Sequence, residues 1–183
     1  MIRFNLATTL SGLLFLMGAS LSTATPSQDE AKQTIKAFAN DLKTTLVTTM
    51  KSQGPVAAIN VCNVSAPAIA QQHSNGAYVI SRTALKIRNP QNQASSWQKE
   101  ILKEFEQRLA EGEKIDSLDK VEERDDGWYY IKAIGTGKPC LTCHGNELNP
   151  AVKTKLTELY PNDQATGFKQ GDLRGAFIVK YQH

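Results

Sequence analysis

The chain predicts an α+β fold, and three observations predict it. Apolar residues recur at helical spacing early, from Ala31 onward. Runs rich in β-branched and aromatic residues, bounded by turn residues, gather late, at 121–124, 128–134 and 175–181. The run Cys140-Leu141-Thr142-Cys143-His144 lies among those late strands, not near the start of a helical chain. Helices grouped before antiparallel strands are the order that α+β folds show.

Ser27 and Glu30 have the spacing of a capping box. Ala31, Ile35, Phe38, Leu42, Leu46 and Met50 then mark one face of a long helix, stopped by Gly54-Pro55. Pro55 can open a second helix through Val56, Ile59, Val61 and Cys62. Ser65 as N-cap, with Pro67 in the first turn, restarts a helix that runs to about His73. Asn75-Gly76 is a turn, and 77–81 reads as a strand. A loop follows at 88–92. Ser95 and Gln98 cap a helix whose stripe is Trp97, Ile101, Leu102, Phe105 and Leu109, closed near Gly112. Strands at 121–124 and 128–134 flank a hairpin turn at Asp126-Gly127. A helix over 150–159 and a strand over 175–181 complete the chain.

The N-terminus reads as a secretory signal peptide over 1–24. Arg3 is a basic n-region, 10–17 is a short apolar h-region, and Ser22-Thr23-Ala24 offers a small-x-small cleavage site. The apolar run is too short to span a bilayer. The expected place is the periplasm, with one domain over 25–183 and no membrane span after cleavage. A net charge of +3 is too small to argue for nucleic acid.

Cys140-Leu141-Thr142-Cys143-His144 is a C-x-x-C-H run, the attachment signature of c-type haem. Two thiols one turn apart add across the two vinyl groups of one porphyrin edge. The following His144 can then place an imidazole nitrogen on the iron. A zinc site would need a second pair of ligands at metal spacing, and the sequence has none. A thioredoxin-like motif would sit between a strand and a long helix. This one follows the loop run 135–139. One covalent haem c is therefore expected, in keeping with export.

The second axial ligand sets the chemistry of such an iron. Cys62, His73, Met50 and His183 are the candidates. Cys62 is the odd thiol once Cys140 and Cys143 are used, and a free thiol outside the cytoplasm needs a reason; its plain alternative is a small buried hydrophobe. His73 closes a helix, Met50 shares the first helix's core stripe, and His183 is the last residue. Arg82, Arg88 and Lys138 could face haem propionates; solvated charge suffices for Lys138 and Lys86.

Four segments occur in order: 61–67 (VCNVSAP), 80–92 (ISRTALKIRNPQN), 140–145 (CLTCHG) and 171–176 (GDLRGA). Together they resemble a family of exported c-type haem domains with a PAS-like fold, over roughly 28–181. The resemblance implies a PAS-like antiparallel sheet with flanking helices, to which periodicity adds the long N-terminal helix. It also implies iron ligation by His144 and Cys62. Ala84 stands where the family pattern has Ser.

Within that resemblance the expected role is a redox or small-gas sensor, not an enzyme. No kinase, cyclase or DNA-binding region is present in the sequence, so the signal would pass to a separate redox or signalling protein. The alternative is a low-potential electron-transfer cytochrome of the periplasm.

Overall fold

The computed structural model describes residues 25–74 and 76–182. The expected leader at 1–24, Asn75 of the expected turn, and His183 lie outside the described residues.

The long helix α1 spans Gln28–Asn60. Ser27 caps it by accepting from Glu30 N–H at 3.5 Å. The reciprocal half of the expected capping box runs through a third residue. Ser27 N–H donates to Tyr78 Oη, and Tyr78 donates to Glu30 Oε2, both at 2.7 Å. Gly54 breaks the helical geometry with φ 83 and ψ 172. The first helical run stops there as expected, and Pro55 opens a second run that continues to Asn60. A π turn, Val61–Ser65, leads directly into α2, Ala66–His73. Ser65 is itself helical and its side chain caps nothing, which corrects the expected restart.

Four strands form one antiparallel sheet: β1 Tyr78–Thr83, β2 Asp119–Arg124, β3 Gly127–Gly135 and β4 Leu173–Tyr181. Their order is β1-β4-β3-β2. The β2–β3 turn is Asp125-Asp126, since Arg124 pairs with Gly127. The expected Asp126-Gly127 turn is therefore displaced by one residue. Helix α3, Ser96–Ala110, starts where Gln98 Oε1 accepts Ser95 N–H at 3.0 Å. A single turn α4, Leu141–His144, and α5, Pro150–Leu159, lie between β3 and β4.

Alternation along the strands divides the core between the sheet's two faces. Tyr129, Ile131, Ala176 and Ile178 pack on Ile101, Leu102 and Phe105 of α3. On the other face, Tyr130, Ile80 and Val179 pack on Ile35 and Phe38 of α1 and Ile69 of α2. Each buried Ile, Leu, Val or Phe among them contributes about 1.5–3 kcal/mol by leaving water. A smaller cluster, Ile59, Val152, Leu156 and Tyr160, joins the end of α1 to α5, and Cys143 packs against it. The α+β architecture with a long first helix and flanked antiparallel sheet is as the sequence predicts.

Candidate functional site

The stripe of α1 is not one continuous core. Ala31 and Phe38 are fully buried under the sheet. Beyond them, Leu46 and Met50 are only half-buried, because they line a cavity of about 160 Å³. Its other walls carry Arg82, Arg88, Arg174, Cys140, Cys143 and His144. No carboxylate lines it.

The Cys140–His144 segment reaches this wall through a 3₁₀ turn, Lys138–Cys140, that passes into α4. His144 Nδ1 lies 2.6 Å from the Ala165 carbonyl. A carbonyl only accepts, so Nδ1 carries the proton and Nε2 keeps a free lone pair. Burial, and then the cations Arg174 and Arg88, push the imidazole down to about 3, so it is neutral near pH 7. A neutral ring fixed through Nδ1 is in the form that binds a metal.

Arg88 is buried, at 8% exposure. It donates to Asp163 through Nε at 3.0 Å, to the Cys143 carbonyl at 2.6 Å, and to the Ala165 carbonyl at 3.3 Å. Asp163 Oδ1 in turn accepts Ala165 N–H at 2.8 Å. One ion pair thus fixes both the Cys143 backbone and the carbonyl that orients His144. Asp163 and Ala165 were not singled out by sequence reasoning, since no local pattern marks them.

Arg82 lies over the Phe38 ring at 5.8 Å. Arg174 lies over Phe168 at 5.3 Å and donates to the Lys86 carbonyl at 3.2 Å. Burial and the neighbouring guanidiniums of Arg88 and Arg82 push Arg174 down to about 10. Sequence reasoning passed over Arg174, although it lies within the 171–176 segment. Gly175 makes this corner possible: at φ 153, a Cβ there would stand 2.3 Å from the Thr83 carbonyl oxygen.

Cys62 sits in the π turn, where Ala66 N–H reaches back five residues to the Val61 carbonyl. Pro67 supplies a reason. Its missing N–H and its ring both disfavour an α turn on Asn63, and a widened turn relieves this. The Cys62 thiol is half-buried, and burial pushes its pKa up. Arg82, Arg88 and Arg174 are close enough to pull it down, and Cys140 is close enough to oppose them. Cys62 is not among the residues that line the cavity, whereas Met50, another of the candidates, is. His73 bonds Asp41 at 2.7 Å and borders a separate hollow with Glu30 and Tyr78. Lys86 donates to the Thr166 carbonyl, and Lys138 is exposed. Among the described residues, no group of three or more His, Cys, Asp or Glu is placed to hold a metal ion.

A family match extends over residues 20–181, nearly the whole chain. The chain belongs to the Tll0287-like family. The structure is similar to that of the cyanobacterial heme-protein Tll0287, with a TM-score of 0.62 and 23% identity over 86% of this chain and 98% of that one. At that identity the likeness speaks for the fold. No curated protein matches the chain. The resemblance drawn from the four sequence segments is borne out at the level of the family.

Proposed function

We propose that this chain is a mono-haem c-type protein working outside the cytoplasmic membrane. Cys140 and Cys143 hold the haem through thioethers, His144 and Cys62 are the axial ligands, and the role is that of a redox or small-gas sensor. The observation that carries the reading is one cavity wall. It presents two thiols one helical turn apart beside an imidazole whose Nδ1–H is already given to Ala165. The donor set fits the group, because a tetrapyrrole iron asks the protein for two axial atoms only. The similar structure is that of a heme-protein, which supports the same reading.

When bound, haem would supply a one-electron couple and, with Cys62 released, a coordination position for a small diatomic. The chain's own residues set the rest. His144 offers Nε2 in a fixed orientation. Cys62 must release its proton to ligate; burial opposes this, and the three guanidiniums favour it. The sensor role rests on the π turn. A helix holding one turn in i→i−5 register has a nearby α register, and the two differ in where Cys62 points. Val64, in the same turn, is 68% exposed and would carry that change to a protein partner.

Electron transfer is the second reading. A ring held at the half-exposed Cys140 would keep an edge at the surface.

Absorption and electron paramagnetic resonance of the matured protein, oxidised and reduced, separate the readings. The expected result is a low-spin thiolate signature that Cys62→Ala abolishes and reduction weakens, with carbon monoxide binding to the reduced form. Spectra unchanged by Cys62→Ala would move the second ligand to Met50. Failure of the reduced protein to bind carbon monoxide would favour the electron carrier.

A further inference from the structure

The cavity holds more positive charge than its protein neighbours neutralise. Three guanidiniums line it, and no Asp or Glu does. Asp163, behind the wall, pairs with Arg88 at 2.9 Å. None of the ion pairs among the described residues involves Arg82 or Arg174. Arg174 has one backbone carbonyl and an aromatic face, and Arg82 has an aromatic face. Two cations drawn from water without anions are costly, and the fork of each guanidinium suits a carboxylate.

The two are placed as a pair by the sheet. Thr83 of β1 faces Ala176 of β4, and Arg82 and Arg174 stand on either side of that junction. Gly175 lets the backbones approach there, since any Cβ would strike the Thr83 carbonyl. The remaining wall is mostly apolar, with Leu46, Met50, Ile87 and Ile134 beside the polar Thr83 and Asn92. An apolar slot with two unneutralised forks at one side matches a flat apolar body carrying two carboxylates.

We propose that Arg82 and Arg174 form the carboxylate-binding site of the cavity, each taking one propionate of the haem, while Arg88 is a positioning residue held by Asp163. This rests on the haem reading above and reassigns one of the arginines expected from sequence.

The test uses the matured protein made with haem labelled with carbon-13 at the propionate carboxylates. Redox-difference infrared spectra then report those carboxylates alone. Arg82→Gln and Arg174→Gln should each shift one of the label-sensitive carboxylate bands, and the double variant both. Lys138→Gln, an exposed charge beside the same wall, should shift neither. Arg82→Lys and Arg174→Lys keep the charge but lose the fork. They should give smaller shifts of the same bands, and they serve if a Gln variant does not fold. Bands unmoved in the Arg variants that carry haem would overturn the assignment and leave the haem reading standing. Absence of covalent haem from the unsubstituted protein on a denaturing gel would overturn both.

Discussion

Arg88 and Asp163 join the backbone of the motif to the segment that fixes His144, through a pair whose side chains are 7% and 11% exposed. Removing one partner of a buried pair leaves a desolvated charge, at a cost of about 3–5 kcal/mol. Asp163→Asn is expected to lower unfolding stability by about 3 kcal/mol, measured by denaturant titration of the matured protein. Asp41→Asn breaks the more exposed contact with His73 and should cost less than about 1 kcal/mol. The same site shows where sequence reading ends. Cys140, Cys143 and His144 are legible because their chemistry depends on adjacency. Arg88 is legible only as a cation, because the Asp163 that engages it is 75 positions away.

At the scale of elements, two glycines do different work. Gly54 takes φ 83, and a methyl carbon added there would meet nothing within 4 Å. Gly54→Ala therefore meets backbone strain alone, about 1–3 kcal/mol. Gly175→Ala adds a collision with the Thr83 carbonyl, and thermal unfolding should show a clearly larger loss. Pro67→Ala restores an N–H and removes the ring that opposes an α turn on Asn63. Slower amide exchange over 61–67 and a weakened Cys62 signature are expected. Unchanged exchange there would mean that Pro67 does not set the π turn. The helices and strands follow from periodicity, and most bounds fall within two residues of expectation. The π turn was not legible, because hydrophobic spacing through 56–73 is compatible with one helix or two. The cavity was not legible either. Leu46 and Met50 continue the stripe of Ile35 and Phe38, and only the tertiary path shows that they leave the sheet behind.

On the scale of the whole molecule, the sheet has its own support on both faces, and the cavity lies beside it. The α3 cluster and the α1–α2 cluster contain none of the cavity's polar groups. A chain with Cys140→Ala and Cys143→Ala should therefore keep slow amide exchange in β3 and β4. Protection should fall in the second half of α1 and around α4, where the group's contacts are lost. Loss of protection throughout the sheet would instead make haem part of the folding core. The most direct test is the intact mass of the chain after export in a host with cytochrome c maturation, under denaturing conditions. One haem mass retained by the chain, and lost in the Cys140→Ala/Cys143→Ala chain, is the predicted result. An unmodified mass for the unsubstituted chain under those conditions would contradict covalent haem attachment at this motif.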